Sequence, residues 1–256
     1  MKPVTAKAVF GYAGLFLLAY LLFLLAGLPA QLALERIALP EGLKLANPQG
    51  SVWSGQAAVS DRRGPLGDVS WQLDLLPLLI GRLGADLQFN GPLGEARAHV
   101  WVNESELDIS ELDLSLDVLA ITSRPPGLAP TRGRLTGRID HAHADATGIT
   151  LIEGQLRLQQ VALTFPGDLE LGDFTVDFST TGKIVTGTIT SSEEPLSARG
   201  QFRLTQGSRY QLNVTLRPHP DADPALVNAL RLAGRPATDG SITLVQRGEL
   251  QRWIGN

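Results

Sequence analysis

The chain begins with a continuous apolar pattern and then changes to an alternating one. Residues 8–28 contain no charged side chain, and leucine and phenylalanine occupy every side of the helix that this run would form. At about 1.5 Å per residue the run would reach about 32 Å, which is enough to cross a hydrocarbon core of about 30 Å. We therefore predict a transmembrane helix at residues 8–28, preceded by a short N-terminal segment at residues 1–7.

The charges that flank the apolar run predict its orientation. Lys2 and Lys7 precede it, and the first ionisable residues after it are Glu35 and Arg36. The positive-inside rule therefore predicts a cytoplasmic N-terminus and an exported C-terminal part. A cleaved signal peptide is the alternative, but its apolar core normally has about 7–15 residues and ends at small residues spaced A-x-A. This run is longer, and leucine or glutamine stands where a small residue is needed, so we expect a retained anchor.

Beyond the anchor, the pattern is that of a β protein. We interpret residues 29–49 as a juxtamembrane spacer and residues 50–256 as the exported domain. From Gly50 onward, glycine and proline recur about every 10–15 residues, and the segments between them alternate apolar and polar residues with period two. The sequence predicts a mainly β fold, in which the transmembrane helix is followed by a curved or sandwich-like antiparallel sheet with one short C-terminal helix.

Three local signals add detail to this fold. The alternation slips by one residue between Ile109 and Leu112, which requires a bulge if both lie in one strand. Residues 120–130 contain two adjacent prolines and a glycine, so the domain is either continuous or formed of two halves joined there. Near the end, Asp223 is the predicted N-cap of the helix, Pro224 takes its first position, and Gly234 stops it.

The charged residues of the middle region also alternate. Acidic side chains precede the proline-containing segment and arginines follow it, and we interpret both as solvent-exposed faces of strands: Glu104, Glu106, Asp108, Glu111, Asp113 and Asp117, then Arg132, Arg134 and Arg138. A hairpin centred near Pro125 would oppose Asp117 to Arg132. The same register would oppose Glu111 to Arg138. The sequence thus predicts a register as well as a pair of strands.

Little in the sequence points to catalysis. The chain has no cysteine, which excludes disulfides, cysteine metal sites and thiol nucleophiles, and its net charge of −4 does not favour nucleic acid as a partner. It contains no G-x-S-x-G, H-E-x-x-H or Walker sequence. His141 and His143 have a spacing used in metal sites, but two ligands do not make a site and Gly148 indicates a turn, so we interpret them as part of a polar loop. We predict a non-enzymatic protein with no catalytic residue, cofactor or metal.

The most distinctive stretch is G-S-V-W-S-G-Q-A at residues 50–57, where two glycines flank a tryptophan. From the residues alone, we interpret it as the start of a strand with a buried tryptophan ring. Following a single N-terminal anchor, it resembles the type II secretion system protein N family (GspN). The resemblance continues in Trp71 with L-P-L-L at residues 76–79, and in L-R-L-A-G-R-P (230–236) and G-S-I-T-L (240–244). The motif residues, for which we expect a structural role, are Gly50, Trp53, Gly55, Trp71, Gly234 and Gly240.

The resemblance implies an accessory, non-catalytic component of type II protein secretion, in the bacterial inner membrane with its C-terminal domain in the periplasm. Its partners would be inner-membrane assembly-platform proteins or the outer-membrane secretin, while folded proteins are exported. G-x-x-W-x-G openings also resemble AsmA-like periplasmic proteins, which implies the alternative of a lipid-binding or lipid-transfer groove. A groove lined by Val69, Trp71, Leu87 and Phe89 would favour that alternative, whereas a closed, filled core would favour a scaffold.

Overall fold

The computed structural model of the protein describes residues 27–31, 42–74, 82–103, 105–122, 130–164, 168–191, 194–205, 209–234 and 236–249. This part of the chain is built on one antiparallel sheet, in which each strand pairs with its neighbours along the chain. Its 13 strands are β1 (Lys44–Gly50), β2 (Ser54–Asp61), β3 (Gly64–Asp74), β4 (Leu83–Gly91), β5 (Gly94–Val102), β6 (Glu106–Asp117), β7 (Thr131–Asp145), β8 (Gly148–Leu163), β9 (Leu169–Thr181), β10 (Ile184–Ser191), β11 (Leu196–Thr205), β12 (Arg209–Pro218) and β13 (Ile242–Glu249).

Short turns account for this simple strand order. Four of the described hairpins turn through two residues, at positions 62–63, 92–93, 146–147 and 182–183. Connections of this length join only antiparallel neighbours. The predicted mainly β, antiparallel fold is thereby confirmed, but the described strands form one sheet and not the two of a sandwich.

The two faces of the sheet differ in polarity from β2 to β12. One row of directly opposed residues crosses from β2 to β13 and holds only apolar residues and glycine: Ala57, Val69, Phe89, Ala96, Leu114, Gly137, Leu156, Val176, Ile189, Gly200, Val214 and Leu244. The adjacent row points to the other face and is polar until it reaches β13: Gln56, Ser70, Gln88, Arg97, Asp113, Arg138, Gln155, Asp177, Thr188, Gln201, Asn213 and Val245. Period-two alternation therefore sets one apolar and one hydrated face.

The best-buried core lies where a helix covers the C-terminal end of the apolar face. This helix, α2 (Pro224–Ala233), begins as predicted, because the carboxylate of its N-cap Asp223 accepts a hydrogen bond from the Ala225 N–H at 2.7 Å. Its inward leucines pack with β11 and β13 in a cluster of Leu196, Leu226, Leu230 and Ile242, each at most 7% exposed. A second helix, α1 (Val118–Thr122), follows β6 and was not predicted.

Gly234 ends α2, but not in the left-handed conformation that helix-stopping glycines commonly adopt. Its φ is −168°, an extended value that any residue can take. A Cβ at this position would lie 2.6 Å from Cγ2 of Ile242. Glycine is therefore required here by the close approach of the chain to β13.

The predicted bulge is confirmed, whereas the predicted register of the charged hairpin is wrong. Glu111 has a φ of +53° and lies where the pairing of β5 with β6 shifts by one residue. Strands β6 and β7 do pair, but Asp117 faces Arg134, and Asp113 faces Arg138. The carboxylate of Asp117 also accepts the N–H of Ala120 in α1, so the connection begins with a helical turn that was not predicted.

The predicted transmembrane run lies outside the described residues, except for Gly27 and Leu28. Within the described ranges, no helix has the length and apolar character needed to span a membrane. Strand β1 begins at Lys44, within the stretch that we interpreted as a spacer.

Candidate functional site

Four of the six motif residues meet at the turn that joins β1 to β2. The Ser51 N–H donates to the Ser54 carbonyl at 2.9 Å, which closes the turn. Gly50 has a φ of +89°, and a Cβ there would lie 2.5 Å from the Ser54 oxygen. The turn therefore needs glycine both for its backbone conformation and for the close approach of the two strands.

Trp71, on β3, supports this turn from the side. Its indole N–H donates to the Val52 carbonyl at 3.0 Å. Gly55 leaves the space for the ring, because a Cβ at Gly55 would lie 2.6 Å from Cζ2 of Trp71. The backbone next to Trp53 is held as well, since its carbonyl accepts the Leu73 N–H at 2.7 Å. The motif is thus a compact unit of two tryptophans and two glycines.

The same turn binds the end of the apolar run. The Val52 N–H donates to the Leu28 carbonyl at 2.9 Å, and Pro29 forms an antiparallel bridge with Ser51. Ala30 is only 1% exposed. Both backbone groups of Val52 are therefore bonded: the Val52 N–H donates to Leu28, and the Val52 carbonyl accepts from Trp71. We call the contact between residues 28–30 and residues 51–52 the anchor joint.

The anchor joint was not predicted from the sequence. Leu28 and Val52 lie far apart in sequence, and residues 29–49 were interpreted as a spacer. No local periodicity reports such a contact. The only sequence signal was the density of glycine and tryptophan at residues 50–55, which indicates a place where backbone approaches closely without saying what approaches it.

The two remaining motif glycines lie at the other end of the strand order. Gly234 and Gly240 flank the connection from α2 to β13, and Gly240 has a φ of +77° in a turn closed by its N–H to the Ala237 carbonyl at 3.0 Å. In this turn Asp239 accepts hydrogen bonds from the hydroxyl and the backbone N–H of Ser241, which lower the pKa of its carboxyl below the ordinary value; nearby Arg217 lowers it further.

The histidine pair lies in a strand, which corrects our interpretation of a polar loop. Both residues belong to β7, which continues to Asp145 before the turn that Gly148 follows. His143 contacts the Asp108 carboxylate on β6 at 2.6 Å, whereas His141 faces Ser110 and Glu153 on the neighbouring strands. Within the described ranges, no group of three or more histidine or acidic side chains is arranged to hold a metal ion.

The residues proposed for a lipid groove share the apolar face. Val69 lies opposite Phe89, and Trp71 lies opposite Leu87, in two adjacent cross-strand pairs of β3 and β4. All four side chains are half-buried. They therefore belong to the apolar face of the sheet and not to the buried cluster beneath α2.

Comparison with known proteins agrees with the motif. Residues 41–245 match the family model described as "Type II secretion system (T2SS), protein N". The chain is 31% identical to the type II secretion system protein N of Vibrio cholerae serotype O1, over 95% of this chain and 100% of that protein. It is 31% identical to the protein of the same name from Klebsiella pneumoniae, over 92% of this chain and 94% of that one. The Aeromonas hydrophila protein is 27% identical over 93% and 97% of the two chains.

No solved structure matches the chain. The family match covers the strands from β1 into β13, and therefore includes both groups of motif residues. The chain belongs to the type II secretion system protein N family.

Proposed function

We propose that this protein is an accessory, non-catalytic component of the type II secretion system, anchored in the bacterial inner membrane by one helix at residues 8–28 with its β domain in the periplasm. In this role it supports the export of folded proteins across the outer membrane by contact with assembly-platform proteins or with the secretin. Family membership supports the link with type II secretion.

The anchor joint is the observation that carries the rest of the proposal. A domain on a flexible tether needs no contact between the end of its anchor and its first turn. Here Leu28 and Pro29 are bonded to that turn, and Ala30 is buried. Such a joint holds the sheet at a set position next to the membrane, as a scaffold requires. The motif tryptophans and glycines then maintain this position and take no part in chemistry.

Export by a strain that lacks this chain tests the proposal. We expect the secreted proteins to accumulate in the periplasm after deletion and to return to the medium when the full chain is supplied. A chain whose residues 8–26 are replaced by an unrelated leucine-rich span, with residues 27–31 retained, should restore export. A chain without the span should not. Normal export in the deletion strain would contradict the proposal.

A second function is favoured by one specific observation. The apolar row crosses the sheet from β2 to β13, and Val69, Trp71, Leu87 and Phe89 on this face are only half-buried. A face of this kind suits the binding or transfer of lipid acyl chains. Native mass spectrometry of the full chain, purified from membranes, should then detect bound lipid. Absence of lipid, together with export restored by a Val69→Ser variant, would argue against this second function.

A further inference from the structure

The two edges of the sheet differ in their capacity to accept another strand. Strand β1 is irregular: Asn47 and Gly50 have positive φ values of 51° and 89°, Pro48 has no N–H, and its pairing with β2 shifts between Ala46 and Gln49. Natural sheets block edges by these means. Strand β13 has none of them. It pairs with β12 without a shift through eight successive residues, from Ile242 to Glu249.

The backbone of β13 presents hydrogen-bonding groups at this edge. Within the described part of the chain, the edge is met only at its start, where Pro236 bridges Ile242 and the Ala237 N–H donates to the Ser241 carbonyl. The Ser241 carbonyl therefore points away from β12. Because the direction repeats every second residue, the N–H and carbonyl groups of Val245 and of the odd-numbered residues after it also point outward.

The side chains of this edge break the pattern of the polar face. Val245 is the one apolar member of the row that is otherwise polar from β2 to β12, and it is 56% exposed. The next residue on that face, Arg247, lies opposite Gln211, so β12 places no opposite charge directly across from it. Glu249, in contrast, lies opposite Arg209. An exposed apolar side chain, followed by an arginine that has no charged residue directly across from it on β12, is what a neighbouring strand would cover.

We propose that the outer edge of β13 binds an extended segment of another secretion-system component, which adds to the sheet as a further antiparallel strand. The outward backbone groups supply the hydrogen bonds of this strand addition. The bound segment has an apolar side chain opposite Val245 and a carboxylate opposite Arg247. This inference rests on the proposed function and assigns one surface to it.

A second copy of this chain fits the same edge less well. Its β1 is blocked, so a head-to-tail array through opposite edges does not form. Several two-fold registers pair at least about five of the eight residues of β13 with another β13. In these registers Arg247 faces Ser241, Thr243, Val245 or a second Arg247, and it never faces Glu249. One of these registers places like charges directly opposite one another, which destabilises a strand pair, and the others leave Arg247 opposite a neutral residue. The charge pattern therefore favours a different chain.

Photo-crosslinking in cells with an intact secretion system tests the assignment. The full chain carries p-benzoylphenylalanine in place of Thr243 on β13, or in place of Gln49 on β1 as the control. We expect a light-dependent adduct from β13, whose partner peptide is identified by mass spectrometry as part of another secretion component. The β1 position should give no such adduct. An adduct with a second copy of this chain alone, or no adduct at equal expression, would overturn the proposal.

Two variants test the strand addition itself. Val245→Pro removes a backbone N–H that points outward and leaves the backbone hydrogen bonds between β13 and β12 in place. Val245→Thr retains this N–H and is the matched control. We expect the proline variant to lower the adduct yield about tenfold, which corresponds to about 1.4 kcal/mol. Arg247→Glu, which replaces an exposed side chain, should do the same, and a lysine in place of the partner's facing carboxylate should restore the yield.

Export separates this inference from the function on which it rests. Export that is lost on deletion but remains normal with both Val245→Pro and Arg247→Glu overturns the β13 assignment alone. Export that is normal after deletion overturns both. Loss of export with Arg247→Glu, reversed by the compensating charge on the partner, supports both.

Discussion

Replacement of Trp71 by phenylalanine should weaken the unit that holds the anchor joint. The variant retains an aromatic ring beside Gly55 but loses the indole N–H that donates to the Val52 carbonyl at 3.0 Å. A hydrogen bond of this kind contributes about 0.5–1.5 kcal/mol net, and the carbonyl left behind lies in a half-buried residue that water reaches in part. We therefore expect a loss of about 1 kcal/mol beyond the effect of the smaller ring.

Trp101→Phe is the matched control for ring size. Trp101 is also half-buried in the sheet, and its ring lies against Gly84 and 4.7 Å from His99, but its indole makes no hydrogen bond to the residues that the structure describes. The free energy of unfolding of the full chain in detergent micelles, followed by far-UV circular dichroism in guanidinium, gives the difference between the two variants. Equal losses, or a larger loss for Trp101→Phe, would refute the role assigned to the Trp71 hydrogen bond.

Three further predictions test other parts of the structure. Leu230→Ala should lose about 2–5 kcal/mol of unfolding free energy because its side chain is 7% exposed in the cluster beneath α2, whereas Leu232→Ala, at a position 91% exposed, should stay within about 0.5 kcal/mol of the parent. The folded state lowers the pKa of Asp239, so this group stabilises the fold above its unfolded pKa and loses that effect as pH falls through the folded value; an Asp239→Asn variant should show a smaller loss of stability in acid titrations of unfolding. Pro29→Cys combined with Ser51→Cys should form a disulfide in a chain that has no other cysteine, and the two single variants should not; a free thiol count of two in the double variant would contradict the anchor joint.

Local chemistry explains which elements could be predicted from the sequence. The bulge at Glu111 could be predicted because a single extra residue reverses the alternation of apolar and polar side chains after it. The start of α2 could be predicted because its N-cap Asp223 and the proline of its first turn lie within three residues of each other. Such signals do not depend on distant parts of the chain.

The features that could not be predicted depend on how segments meet. The partner of each residue of β6 on β7 lies two positions later than predicted. The reason is that a single turn of helix, capped by Asp117, occupies part of the connection. This turn shifts the centre of the hairpin by one residue, and such a shift changes the partner of every residue by two. The anchor joint requires Val52 to contact Leu28, and the need for glycine at Gly234 comes from Ile242. Alternation specifies which face a residue lies on, but it carries no information about its neighbour on the next strand.

The strand order also has a consequence for how the domain forms. Each described strand after β1 pairs with the one made just before it, so none of these strands has to wait for a distant part of the chain. Sheets with such local pairing have low contact order and fold faster than those with long-range pairing. A chain delivered N-terminus first can therefore add the described strands one at a time, with a single growing edge. Of the described strands, β13 is the last to be added.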